Sequence, residues 1–246
     1  FFLNREDDLK SLLKIYHHVS ALKLDFSSLA SQPEDVVKRF IEYSLQQYNN
    51  LWKLDLEFRN LSTINRATVE TLSIYLQKYD LISCELNFRG CTNFDDDCLN
   101  HLKASLKNQK SLRILRLNLS DCKKVTDKGL NAISQMFPTL SLLEELNIIF
   151  DDCSITEKGL FWLKNTMPAL LALKKLYLSF YTSEQDMNIN FQGIKALGDA
   201  ISGLIFLEVL DLNFSGREYP LKQIEEFNAM FKSIKHCNIR LTPALF

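Results

Sequence analysis

Six cysteines are the residues of this sequence that could most readily carry chemistry, as zinc ligands or as disulfide partners. Cys84, Cys91 and Cys98 follow one another with six residues between each pair. Zinc sites use closer pairs, such as two cysteines separated by two to four residues. Unpaired thiols are typical of a reducing compartment. We therefore expect no metal site and no disulfide, and a cytoplasmic protein. The other three cysteines are Cys122, Cys153 and Cys237.

Two acidic runs, Asp95-Asp96-Asp97 and Asp151-Asp152, could supply the paired carboxylates of acid–base catalysis. Both fall at turns or at predicted helix starts, where carboxylates favour the positive end of the helix dipole. The four histidines are scattered along the chain, and the sequence has no glycine-rich phosphate loop and no G-x-S-x-G motif. We predict that the protein is not an enzyme and uses no cofactor.

A repeated frame determines which elements position these residues. Each copy has four apolar residues, with two residues between the first and the second and one residue between each later pair. The copies recur about every 31 residues, and such a period predicts stacked supersecondary units. Apolar and polar residues alternate in each copy, as in Leu54-Asp55-Leu56-Glu57-Phe58, which is typical of a strand with one buried face. The eight copies begin at Val19, Leu51, Leu81, Leu112, Leu143, Leu173, Leu207 and Ile234.

The segment after each middle strand has the pattern of a capped helix. An apolar residue precedes Asn, Asp or Thr, which can accept a bond from a free N–H of the first helical turn. Three residues later comes a small residue, where we expect the helix to lie closest to its neighbours. Because a helix is about 10 Å wide and strands are about 4.8 Å apart, stacked units must curve. The predicted caps are Asn65, Asp95, Thr126, Thr156 and Asn190.

The repeats resemble leucine-rich repeats. Leu112-x-x-Leu115-x-Leu117, followed by Cys122-x-x-Val125-Thr126-Asp127-x-Gly129-Leu130, is similar to the ribonuclease-inhibitor-like and cysteine-containing classes, and the match recurs from Leu143 to Leu160. The resemblance implies an α/β leucine-rich-repeat solenoid, a horseshoe of about seven to eight repeats. It places a parallel β-sheet on the concave face and helices on the convex face.

Composition favours one continuous domain. Glycine and proline number only 7 and 5, and no linker-like stretch interrupts the repeats. We expect residues 19–246 to form a single solenoid and residues 1–18 a capping helix or partial repeat. The net charge of −1 without a long basic run argues against nucleic acid as a partner, and no apolar run is long enough to span a membrane. Between 181 and 190 we expect a polar excursion at the turn edge.

Side chains between the apolar positions should point to the concave face, which we predict as the binding site for a protein partner. Acidic residues on the early strands would meet a basic segment, and exposed apolar residues on the middle strands would provide an anchor. The predicted protein-binding residues are Asp25, Asp55, Glu57, Glu85, Ile114, Arg116, Ile149 and Tyr177.

Three functions are compatible with such a module. The first is a scaffold or adaptor subunit of a larger intracellular hetero-complex, cytoskeletal or ciliary, which the apolar chain ends favour. Within the resemblance, the alternative is the substrate-recognition domain of an F-box-type ubiquitin-ligase receptor, although no F-box-like segment is visible in this sequence. The third is a regulator of an enzyme, either a GTPase-activating or an inhibitor-type solenoid, which would need a distinctive arginine or acidic cluster at a coil edge.

Overall fold

The computed structural model describes residues 19–183 and 189–244. Within them, eight strands alternate with seven α-helices, and three short 3-10 turns cover Ser27–Leu29, Phe137–Thr139 and Met167–Ala169. The strands and helices in chain order are β1 Ala21–Asp25, α1 Glu34–Gln46, β2 Lys53–Glu57, α2 Arg66–Lys78, β3 Ser83–Asn87, α3 Asp96–Leu106, β4 Ile114–Asn118, α4 Asp127–Ser134, β5 Glu145–Ile149, α5 Glu157–Thr166, β6 Lys175–Ser179, α6 Phe191–Ile201, β7 Val209–Tyr219, α7 Leu221–Ala229 and β8 His236–Pro243.

All eight strands lie in one sheet in chain order, and every neighbouring pair is parallel. The register follows the sequence frame, so that Leu54 and Leu56 lie beside Cys84 and Leu86 of the next strand, and the ring of Phe58 stacks on that of Phe88. These residues are fully buried. The predicted fold class, a leucine-rich-repeat solenoid, is confirmed. Each unit contacts chiefly its neighbours. Because side chains alternate along each strand, one face of the sheet packs on the core and the other forms a long surface outside the core.

The predicted helix caps are confirmed. The side chains of Asn65, Asp95, Thr126, Thr156 and Asn190 each accept a backbone N–H from the first turn of the following helix. At Asn65 a complete capping box forms, because the backbone N–H of Asn65 also donates to Thr68 Oγ1 at 3.0 Å. These caps fix where each helix begins, and hence where each strand ends and turns.

The core contains two stacks of phenylalanines from the last position of the frame. Phe26, Phe58 and Phe88 form the first, with ring centroids 5.1 Å apart at each step. Phe150, Phe180 and Phe214 form the second, with centroids 5.6 and 5.4 Å apart. Leu119 occupies the frame position between the stacks. These six phenylalanines are buried and therefore unavailable for recognition.

Two expectations differ from the structure at the last coil. Cys237 occupies an apolar position of the repeated frame, which predicts a buried thiol. It is exposed, because β8 is an edge strand with no further strand on its outer side among the described residues. The sequence from Pro220 to Lys232 predicts a helix, because proline suits the first helical turn. The helix extends only over Leu221–Ala229, with Pro220 in the N-cap position.

Some sequence-based expectations concern residues outside the described ranges. The expected capping helix or partial repeat at 1–18 lies wholly outside them, as do residues 184–188 of the expected excursion. In the part of the chain that is described, no helix combines the length and the hydropathy needed to cross a bilayer.

Candidate functional site on the concave sheet face

The concave face carries three columns of side chains, one for each strand position that alternates with a buried residue. Pairing across the strands places Asp25 beside Glu57 and Lys23 beside Asp55. Glu85 lies beside Arg116, and Asn147 beside Tyr177. All eight predicted binding residues belong to these columns. Asp25 is exposed, and the other seven are partly buried.

The acidic residues of the early strands have cationic neighbours on the same face. Lys23 Nζ lies 2.6 Å from Asp55 Oδ2, and the hydrogen bond to that carboxylate raises the pKa of Lys23. Arg116 lies between two carboxylates, with Nη1 3.1 Å from Glu85 Oε2 and Nη2 2.6 Å from Glu145 Oε1. The face is therefore a ladder of ion pairs between neighbouring coils and not an uncompensated acidic surface.

Asp25 and Glu57 form the acidic corner of this ladder. Asp25 Oδ1 accepts bonds from Ser27 N at 2.9 Å and Ser27 Oγ at 2.5 Å. Loss of solvent around the carboxylate disfavours its charge, but the two bonds from Ser27, together with the nearby cations Arg59 and Lys23, lower the pKa of Asp25. Glu57 Oε1 lies 3.0 Å from Arg59 Nε, and Glu57 Oε2 accepts from Asn87 Nδ2 at 3.0 Å. Both carboxylates are thus held in fixed positions on the first two coils.

The apolar residues of the middle strands are only partly brought together. Asn147 pairs with Tyr177, and Ile149 lies two residues further along β5, so Ile149 and Tyr177 are diagonal neighbours on the concave face. Ile114 pairs with Glu145, which lies four residues from Ile149, or about 13 Å along the strand. Ile149 and Tyr177 are therefore close to each other on this face, and Ile114 lies apart from them.

The cysteines lie in a chemically inert setting. The thiols of Cys91, Cys122 and Cys153 donate to the carbonyl oxygens of Phe58, Phe88 and Leu119 on the preceding coil, at 3.0, 3.2 and 3.0 Å. These contacts link each turn to the preceding coil. Burial raises the pKa of Cys84, Cys98 and Cys122 to about 12, so these thiols stay protonated at neutral pH and are poor nucleophiles. Among residues 19–183 and 189–244, no three His, Cys, Asp or Glu side chains are grouped as metal ligands.

Sequence reasoning missed the partners that hold the concave acids and one set of contacts between helices. Asp96, the first residue of α3, accepts bonds from Thr126 N at 2.8 Å, Thr126 Oγ1 at 2.6 Å and Gly129 N at 2.9 Å. Asp127 makes the same three bonds to Thr156 and Gly159. Comparing residues about 30 positions apart would have revealed both features, because such residues are lateral neighbours in a solenoid.

Comparison with known proteins gives likenesses among solved structures only. No family model and no curated protein matches the chain. Leiomodin-1 actin-binding site 2 is similar with a TM-score of 0.48 and 14% identity, over 63% of this chain and 80% of that one. The C-terminal domain of a Caenorhabditis elegans tropomodulin is similar with a TM-score of 0.49 and 12% identity, over 67% of this chain and 91% of that one. A chain of the yeast Rad7–Elc1 complex is similar with a TM-score of 0.38 and 13% identity, over 91% of this chain and 63% of that one. These likenesses concern the path of the chain and assign it no partner.

Proposed function

We propose that this chain is a non-catalytic protein-interaction module and that its concave sheet face binds a protein partner. The observation that supports this proposal is the pair Ile149 and Tyr177, which we call the anchor: two large, partly exposed side chains that are diagonal neighbours on a largely polar face, with Ile114 apart from them. An apolar centre within a polar surround is the common plan of a protein interface. The partner would place an apolar side chain against this anchor.

The acidic early coils contribute orientation more than affinity in this proposal. A basic segment approaching Asp55 or Glu85 must compete with Lys23 or Arg116, which already pair with those carboxylates. Exposed ion pairs contribute about 0–1 kcal/mol each, so an exchange of one cation for another adds little net free energy. Complementary charge chiefly fixes register and steers encounter.

The anchor is tested by changing Ile149→Ala and Tyr177→Ala together. Affinity purification from the native source, with quantitative mass spectrometry, should show several-fold lower capture of the partners enriched by the wild-type chain, since hot-spot truncations cost about 2 kcal/mol or more. Trp162→Ala, an exposed residue of α5, is the matched control and should leave capture unchanged. Equal capture by the anchor variant and the wild type would contradict the proposal.

A second pair of changes tests the acidic coils. Asp55→Lys with Glu57→Lys should lower capture modestly and reduce its dependence on salt, because screening acts on the steering charges. A loss as large as that of the anchor variant would show that charge, and not the apolar pair, dominates the interface.

We further propose that the module is a scaffold or adaptor subunit of a larger cytoplasmic assembly, cytoskeletal or ciliary in kind. Co-sedimentation of the purified chain with actin filaments and with microtubules is the direct assay, and the anchor variant is its control.

We also assign the repeats to the cysteine-containing class. The turn thiols of Cys91, Cys122 and Cys153 support this assignment, because they bond the preceding coil in the same way.

A further inference from the structure

The turns that return the chain from each helix to the next strand hold a second surface, separate from the concave face. Each middle turn is closed by a backbone bond across two intervening residues, as from Leu143 N to Leu140 O at 3.1 Å and from Leu173 N to Leu170 O at 3.1 Å. The two intervening residues form the tip of the turn. In coils four to eight the tips are Lys110-Ser111, Ser141-Leu142, Leu171-Ala172, Ile205-Phe206 and Lys232-Ser233.

Three successive tips carry large apolar side chains that are exposed to solvent. Ile205 is 84% exposed, Leu171 72%, Phe206 59% and Leu142 43%. Leu171 and Ile205 occupy the same tip position on adjacent coils. Single exposed apolar residues are ordinary, but a contiguous set marks an interaction site. We call these four residues the tip strip. The tips of the second and third coils, at Asn49, Asn50 and Asp80, are polar.

Both ends of the tip strip are basic. Lys110 lies at the tip before it and Lys232 at the tip after it, with Lys235 close behind. Among the described residues, none of these three lysines lies within ion-pair distance of a carboxylate, and Lys110 Nζ contacts only the carbonyl oxygens of Lys107 and Thr139. The strip thus combines exposed apolar side chains with cations that are available to an acidic ligand.

A row of alternating charge borders the strip on the concave side. It consists of the second residue of each repeated frame, which follows the leucine or isoleucine that comes directly after the tip. Glu144 in this row pairs with Arg113 and with Lys174, the latter at 2.8 Å. Glu208 forms no ion pair with any described residue. In chain order the row reads Arg113, Glu144, Lys174, Glu208 and Lys235.

We infer that the tip strip docks an acidic segment of a partner protein, with bulky apolar side chains flanked by Asp or Glu. The apolar residues would cover Leu171, Ile205 and Phe206, and the flanking carboxylates would pair with Lys110 and Lys232. A second copy of this chain fits less well. Two-fold symmetry through the strip would bring the lysine-bearing ends of the two copies together, and these like charges repel each other. An anionic membrane also fits less well, because a broad surface would cover Glu144 and Glu208 together with the strip, whereas a narrow segment can place its carboxylates beside the lysines alone.

A displayed library of random 16-residue peptides tests this inference on the full chain. Peptides are selected on the wild type and counter-selected on the triple variant Leu171→Ser, Ile205→Ser and Phe206→Ser. Because these side chains are exposed, the triple variant should keep the wild-type melting temperature. We expect the surviving peptides to be rich in Asp or Glu beside Leu, Ile, Phe or Trp. A synthetic peptide of the best sequence should bind the wild type about tenfold or more tightly than the triple variant.

Charge variants and one control complete the design. Lys110→Glu with Lys232→Glu should weaken the same peptide several-fold, and more strongly at low salt. Ile74→Ser, which is 64% exposed on the distant helix α2, should leave its affinity unchanged. Peptides without strip dependence, or peptides rich in Lys and Arg, would overturn the inference.

Two further measurements can also overturn it in favour of another occupant. Vesicles of phosphatidylcholine with phosphatidylserine test a membrane role, and strip-dependent co-sedimentation with them would assign the surface to lipid. Analytical ultracentrifugation tests self-association, and a micromolar dimer that the triple variant lacks would assign the surface to a second copy. If the inference is right, neither occurs. Because the anchor Ile149 and Tyr177 is intact in every strip variant, failure here leaves the concave-face proposal untouched.

Discussion

Asp151 is an acidic residue whose environment works against its charge. It lies at the end of β5, where its Oδ1 accepts bonds from the Ser179 hydroxyl and from Tyr181 N, the latter at 2.9 Å. Burial raises the pKa of Asp151 above its ordinary value, and the bonds from Ser179 and Tyr181 only partly offset this effect. The neighbouring Asp152 raises it further. Ionising Asp151 therefore costs more free energy in the folded chain than in the unfolded chain.

This difference predicts a pH-dependent gain in stability for Asp151→Asn. Between the unfolded and folded pKa values the native state binds more protons, so the wild-type free energy of unfolding falls as pH rises through that window. The Asn variant lacks this loss, so its stability relative to the wild type should rise from pH 3.5 to pH 7. Urea denaturation at both pH values measures this change, with Asp80→Asn at an exposed tip as the control. A constant or falling difference would contradict the raised pKa.

At the scale of elements, the N-termini of neighbouring helices are joined by a carboxylate and a glycine. Asp127 at the start of α4 accepts three bonds from Thr156 and Gly159 at the start of α5. A Cβ added at Gly159 would come within 2.7 Å of Asp127 Oδ1 and 2.8 Å of Leu130 Cδ2. The small residue is therefore required by close approach to the previous coil, as the sequence pattern predicted.

Gly159→Ala should destabilise the chain by about 1–3 kcal/mol, because the added methyl group must push the Asp127 carboxylate or Leu130 aside. Gly203→Ala is the matched control. A Cβ at Gly203 meets only Ala200 O at 3.5 Å, an ordinary contact, so the change should be close to neutral. Chemical denaturation of both variants measures the difference. Equal stabilities would mean that the coils are not packed as closely as described.

The elements themselves were predictable from the sequence, but their lateral partners were not. Alternation and capping residues are local signals. They predicted the strands, the helix caps and the small positions at which each helix lies close to its neighbour. The bond from Arg116 to Glu145 and the clamp by Asp127 join residues about 30 positions apart, so they depend on how one coil aligns with the next. The tip strip was missed for another reason. The frame that begins at Leu143 carries no information about the residues before it, so it could not predict that Leu142 faces water.

At the scale of the whole molecule, the solenoid has no single centre. Each coil is stabilised by its two neighbours, as in the phenylalanine stacks, and a coil with one neighbour has correspondingly less support. The last coil illustrates this point. Ile239 and Leu241 occupy core positions of the frame but are only partly buried, and Cys237 is exposed, whereas Leu210 and Leu212 on β7 are almost fully buried.

Native-state hydrogen exchange should therefore reveal a gradient of local stability along the sheet. The amides of β8 should exchange through local opening, with a lower free energy than those of β3 to β6, which should open only with global unfolding. The exposed thiol offers a parallel measurement, since Cys237 should react with a thiol reagent in the folded state well before the five buried cysteines. Measuring amide exchange at two pH values shows whether the open and closed states are at equilibrium before exchange occurs. Uniform protection of all eight strands would show that the chain unfolds as one cooperative unit, and that burial in the last coil does not govern its stability.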